Sequence, residues 1–173
     1  MSEAGVEIVE YEVGDEAGVF NVILPIQQEE FQIPITAADQ PDLRDVPSFY
    51  QAGRGGFWVA KAGGEVVGTL ALKDIGGGRG ALRKMFVAAP YRGRAFGTAQ
   101  RLLDRVFEHA VERGIGEIFL GTTAQFLAAH SFYARNGFRE IARSDLPPGF
   151  PLVAGDTRFY AIAVQDHSSS SQA

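Results

Sequence analysis

The chain has 173 residues, 46% of them hydrophobic and 21% charged, with no cysteine and a formal net charge of −5. That is the composition of one ordinary water-soluble domain with its own core, and it excludes disulfides, thiolate nucleophiles and cysteine-based zinc sites. The acidic balance argues against a general nucleic-acid binder, but it is uneven: seven basic residues and one acid, Asp104, lie between Arg79 and Arg105, so that stretch is +6 and the remainder −11. A cationic patch on an acidic chain fits a specific anionic ligand; solvated helix faces rich in arginine give part of the same pattern.

Residues 6–13 (VEIVEYEV) alternate apolar and acidic residues, as a half-buried strand does. Asp15 is a candidate N-cap for a helix carrying Val19, Phe20, Val22, Ile23, Leu24, Ile26 and Phe31, with Pro25 as a kink point. Residues 33–47 hold three prolines and read as irregular, with a short helix around Leu43. Three strands follow, at 57–61, 66–72 and 81–87, joined by Gly63-Gly64 and by the glycine run 76–80, and they form an antiparallel meander.

A helix spans 94–113 with Phe96, Ala99, Leu103, Val106, Phe107 and Ala110 on one stripe, closed by Gly114. His109 falls on its polar side in this reading. A short strand at 117–121, a helix at 124–136 closed by Asn136-Gly137, a strand beginning at Phe138, a proline-rich loop at 146–151 and a strand at 158–164 complete the pattern. The expectation is a single domain over 1–164 and a disordered Ser-rich tail over 165–173. The fold class is α+β with a mixed sheet. The acidic start has no targeting character, and the longest uncharged stretch, 118–134, is broken by polar residues, so no membrane partner is expected and the cytoplasm is the default location.

The stretch 82–99, LRKMFVAAPYRGRAFGTA, carries the chemistry. A strand ends near Val87, a Pro90-Tyr91-Arg92-Gly93 turn follows, and a helix starts within a few residues. Unpaired N–H groups and the positive dipole end of a helix favour phosphate. Gly93 and Gly97 let a phosphate approach the backbone, and Arg92 and Arg94 add charge. An ordinary strand–turn–helix junction with solvent-facing arginines has the same outline. A P-loop is excluded by the lack of Gly-Lys-Ser/Thr.

Arg92-Gly93-Arg94-Ala95-Phe96-Gly97 resembles the acyl-CoA-binding signature Q/R-x-x-G-x-G/A of the GNAT superfamily of N-acyltransferases. Downstream, Ala129-x-x-x-Tyr133-x-x-Asn136-Gly137-Phe138 resembles that superfamily's A-x-x-x-Y-x-x-x-G-F stretch, in the expected order and spacing. The resemblance covers residues 56–164. It implies a three-layer fold with a mixed, mostly antiparallel central sheet splayed between two parallel strands, at 81–87 and 117–121. Acetyl-CoA is the implied cosubstrate, with no metal. Backbone groups of Met85, Phe86 and Val87 bind its pantetheine arm. The amides of Arg92, Gly93, Arg94, Ala95, Phe96, Gly97 and Thr98 wrap its pyrophosphate. A main-chain N–H near Phe86 polarises the acetyl carbonyl.

The resemblance also makes Tyr133 the general acid that protonates the departing CoA thiolate; packing in an aromatic-rich helix is the competing reading. The chain departs from the family pattern at Ala95, where a glycine is usual, and at Phe126, where many members carry asparagine. Arg83 and Lys84 stand where some members carry a catalytic glutamate. The general base is therefore open among Asp74, Glu29, Glu30 and a water chain. The implied reaction is direct acetyl transfer to a primary amine in a ternary complex; the alternative is a non-catalytic acyl-CoA-binding or interaction module. The acceptor cavity draws on 31–42 and 146–151, whose acids suit a cationic amine. Homodimers are common in this superfamily.

Overall fold

The structure, a computed structural model, describes residues 5–93, 96–123, 127–153 and 155–165. Seven strands form one sheet: β1 (Val6–Glu10), β2 (Gly56–Ala62), β3 (Glu65–Gly76), β4 (Arg79–Val87), β5 (Glu117–Thr122), β6 (Arg139–Ile141) and β7 (Arg158–Ala163), in the spatial order β1-β2-β3-β4-β5-β7-β6. Neighbours are antiparallel except β4 and β5, which run parallel. Four α-helices accompany the sheet among the described residues: α1 (Glu16–Pro25), α2 (Val46–Phe49), α3 (Thr98–Arg113) and α4 (Leu127–Arg135). This is the expected α+β architecture with a mixed, mostly antiparallel sheet. No helix among the described residues is long and apolar enough to cross a membrane.

Both hairpins of the meander turn on glycine pairs with positive φ at both positions, Gly63-Gly64 (58° and 85°) and Gly77-Gly78 (66° and 74°). This backbone suits the right-handed twist of the flanking strands. The second pair makes a two-residue turn in place of a flexible connection, so β3 runs on to Gly76. Asp15 does not cap α1. Its carboxylate accepts the Glu12 amide at 2.9 Å and pairs with Lys61 at 2.8 Å. At Pro25 the α-helix passes into a π-helical turn, Ile26–Glu30, the predicted site of irregularity.

Strand alternation sorts the core into two layers. Trp58, Leu70, Leu72, Ile118 and Leu120 meet Leu102, Leu103 and Val106 of α3 and Tyr133 of α4 on one face. Phe57, Val59 and Ala71 meet Val19 and Ile23 of α1 and Tyr50 on the other. His109 belongs to the first layer and is buried; its Nε2 lies 3.0 Å from the Arg54 carbonyl and its ring 4.8 Å from that of Trp58. Its spacing from Leu102 and Val106 puts it on the inward stripe, which corrects the polar-side expectation.

A bulge interrupts β4. Thr69 of β3 faces Phe86, and Ala71 faces Arg83, so β4 has one residue more than its partner in that interval. Lys84 takes φ 60°, rare for a side chain of its size. The buried Thr69 hydroxyl donates to the Lys84 carbonyl at 2.7 Å and fixes the distortion. Thr69→Val should leave that carbonyl unpaired and cost about 1–3 kcal/mol, read as a lower urea midpoint with an unchanged slope; an unshifted midpoint contradicts the role given to this bond.

Candidate active site

Parallel pairing between β4 and β5 covers only Arg79–Glu117, Gly80–Ile118 and Ala81–Phe119. Beyond Ala81 the strands part, and the β5-facing edge of Leu82–Val87 has no strand beside it. Backbone groups on such an edge need partners. Met85, Phe86 and Val87, the residues expected to bind pantetheine, lie on this open edge. At the end of β5 the Thr123 hydroxyl is buried without a hydrogen-bond partner among the described residues.

The bulge decides which way β4 side chains point. Leu82 joins the core under α3. Arg83 and Lys84 then face the α1–α2 side in succession: Arg83 lies over the Phe49 ring at 5.9 Å, and Lys84 Nζ donates to Gln40 Oε1 at 2.6 Å and sits 3.7 Å from Asp42. Met85 returns to the α4 side, where the Tyr133 hydroxyl approaches its sulfur at 3.9 Å.

At the far end of β4, Val87, Arg92, Gly93, Gly97 and Thr98 line a cavity of about 470 Å³, joined by Phe132 and Arg135 of α4. Helix α3 starts at Thr98. Its N-cap is Gly97 in the left-handed region (φ 60°), with no side chain to cap the first amides. Gly93 has φ 99°. Phe96 precedes the helix and packs edge-on against Tyr91 at 5.4 Å. Arg94 and Ala95 lie outside the described residues, as do Phe126 and the tail from 166. Arg92 is bidentate with Glu30, at 2.9 and 2.8 Å, and its Nε donates to the Val87 carbonyl at 2.7 Å. Glu30, a candidate base, is thus spent on this arginine.

Tyr133 lies on the wall of a second cavity, of about 190 Å³, at the splay. It borders Leu82–Phe86 of β4, Gly121 and Thr122 of β5, and Phe150, Pro151, Val153 and Asp156 of the late loop. Burial pushes the Tyr133 hydroxyl well above its ordinary value, with the Asp156 charge adding to the effect, so Tyr133 keeps its proton across the physiological range. Residues 31–36 do not reach this cavity. Asp39 caps a short turn through the Thr36 amide. Asp42 accepts the Tyr50 hydroxyl at 2.6 Å and pairs with Lys84. Acids expected to draw an amine are therefore used within the fold. Asp74 is bound to the Gly76 and Arg54 amides at the closed end of the sheet, far along β3 from the gap.

Asp156 and Arg135 escaped the sequence reading. Asp156 stands in an irregular loop without periodicity. Only Gly121 hints at it: a Cβ there would come within 2.5 Å of the Asp156 carboxylate, so the glycine makes its space. Burial lifts the Asp156 carboxyl from 3.8 to about 6, against the lowering effect of Arg83. The folded state thus favours the protonated form. That contribution is fully present below the ordinary carboxylate range and is lost as pH rises through about 6. Asp156→Asn should lack this dependence, so its stability relative to wild type should grow from about pH 4 to about pH 7. Parallel urea melts that stay equidistant over that range would contradict it.

The family model described as "Acetyltransferase (GNAT) family" matches residues 20–138. Human N-acetylaspartate synthetase is 34% identical over 125 residues, 70% of this chain and 41% of that protein, so the match spans less than half of the relative. A solved acetyltransferase of the GNAT family from Staphylococcus aureus Mu50 superposes with a TM-score of 0.88 at 39% identity, covering 92% of this chain and 99% of that one. The PaiA N-acetyltransferase from Thermoplasma acidophilum, solved in complex with coenzyme A, shares the fold at a TM-score of 0.70 and 19% identity, over 92% of this chain and 99% of its own. With the motif of 92–97 and the opened parallel pair in place, the chain belongs to the acetyltransferase (GNAT) family, a family of acyltransferase enzymes.

Proposed function

We propose that this protein transfers an acetyl group from acetyl-CoA directly to a primary amine, with Tyr133 as general acid. The observation that carries the reading is the gap between β4 and β5 with the Tyr133 hydroxyl on its wall. The pantetheine arm would run along Met85, Phe86 and Val87. The pyrophosphate would meet Gly93, Phe96, Gly97 and Thr98 at the uncapped start of α3, with Arg92 and Arg135 supplying charge. Arg94 and Ala95 complete that turn in sequence. Coenzyme A in the PaiA enzyme and the acetylated product named for the human relative both support this choice of substrates.

Direct transfer releases a thiolate, which needs a proton. Tyr133 suits that donor role because burial keeps it protonated. A main-chain N–H near Phe86 would hold the carbonyl oxygen as negative charge develops on it. A chain without cysteine has no thiol for a covalent acyl intermediate, which agrees with a ternary complex. The same composition suits a cytoplasmic setting.

Thiol release from acetyl-CoA over an amine panel tests the reaction. Wild type should release CoA with at least one amine, and Tyr133→Phe should lower kcat about 10²- to 10⁴-fold while still binding CoA. Binding without release for any amine would make this a CoA-binding module, and full turnover of the variant at every pH would remove Tyr133 from the chemistry. Arg92→Glu, and added salt with the wild type, should each weaken CoA binding; unchanged affinity in both would move the phosphate site elsewhere.

A further inference from the structure

The cavity at the splay carries two opposed charges with no internal use. Arg83 lines it from β4; its side chain has neither a hydrogen bond nor an ion pair among the described residues and lies over the Phe49 ring. Asp156 lines it from the late loop, its carboxylate set over Gly121, and that carboxylate likewise has no hydrogen bond or ion pair among the described residues. The other charge that lines the cavity among the described residues, Lys84, is held by Gln40 and Asp42. A half-buried arginine and a half-buried carboxylate share this cavity without a direct ion pair, which leaves room between them for a ligand carrying a countercharge to each.

Resting on the acetyl-transfer reading, we infer that the acceptor is a free amino acid, its carboxylate bound by Arg83 and its ammonium received by Asp156, which acts as the general base. The guanidinium suits a carboxylate because its planar donors can hold both oxygens. Arg83, paired opposite Ala71 just before the bulge, lines this cavity, and Lys84, pinned beside it, reinforces the positive end. Tyr133 of α4 borders the same cavity as Asp156 of the loop, so proton donor and proton acceptor share it.

The protons balance. Asp156 takes one from the ammonium and frees the lone pair. The C–N bond forms as the C–S bond breaks, and Tyr133 gives its proton to sulfur. The nitrogen sheds a second proton as the amide forms, which restores Tyr133, and Asp156 passes its own to water. One amide, one CoA thiol and one proton result. Asp156 must be ionised to begin, and the charged or titratable groups facing it are Arg83 and Lys84 of β4 and Tyr133 of α4. With its carboxyl near 6, activity should fall as pH drops through that value.

The test pairs L-alanine, L-leucine and L-aspartate with their α-carboxamides, which keep the ammonium and lose the charge. Thiol release and calorimetric binding to the CoA-loaded protein are both measured. The free acids should exceed their amides at least tenfold in kcat/KM and in affinity. Arg83→Gln should raise KM for the acids at least tenfold more than for the amides, compared well above pH 6 where Asp156 is ionised in both proteins. Asp156→Asn should lower kcat at least 100-fold and abolish the limb near pH 6. Equal use of acids and amides, or an Arg83→Gln loss shared by both, overturns the anchor; full activity with the limb intact in Asp156→Asn overturns the base. Absence of turnover with every amine sinks the acetyl-transfer reading instead, and binding still decides the amino-acid preference.

Discussion

Everything distinctive about this molecule follows from one interruption: the parallel contact of β4 and β5 ends after three residue pairs. A strand inside a sheet normally has both hydrogen-bonding edges paired. Here the lower half of β4 is held by β3 alone, and its other edge opens between the layers. The larger cavity abuts the β4 terminus through Val87, and the smaller lies along Leu82–Phe86. The bulge at Lys84 belongs to the same device. By inserting one residue it turns two successive basic side chains toward the α1–α2 layer and gives Met85 to Tyr133.

The positive stretch acquires a different meaning once its partners are known. Arg79 pairs with Glu117, Lys84 with Asp42, Arg92 with Glu30, and Arg105 with Glu10 and Glu108, while Arg101 donates to the Val6 carbonyl. Much of the +6 is balanced by the acids elsewhere in the chain. The exposed pairs contribute at most about 1 kcal/mol each, so an anionic ligand can displace them at little cost. Arg92 is such a case: it holds both Glu30 and the Val87 carbonyl, the very strand end at which a nucleotide is proposed to bind.

The strands of the meander, both glycine hairpins and the helix closed by Gly114 were legible because periodicity and turn chemistry are local properties. The glycine pattern at 93 and 97 was equally readable, since positive φ and an uncapped helix start depend on residue type. His109 was misread because the inward stripe of α3 is wider than its purely apolar residues. Lys84 gave no warning, because nothing in a lysine codon position signals a left-handed backbone; Thr69, fifteen residues earlier, imposes it. Asp156 was hidden for a similar reason. Its place is set by the register of β5 against β7, by the Thr157 amide on the Thr122 carbonyl at 3.0 Å, and by the space at Gly121.

On the proposed function, the opened edge of β4 and the start of α3 form one continuous seat for coenzyme A. Backbone amide chemical shifts on titration with CoA address it directly. The largest changes should fall at Met85, Phe86 and Val87 and at Gly93, Gly97 and Thr98, with the closed end of the sheet around Gly80 and Ile118 undisturbed. Saturable binding that leaves these β4 and α3 amides in place and moves others would contradict it.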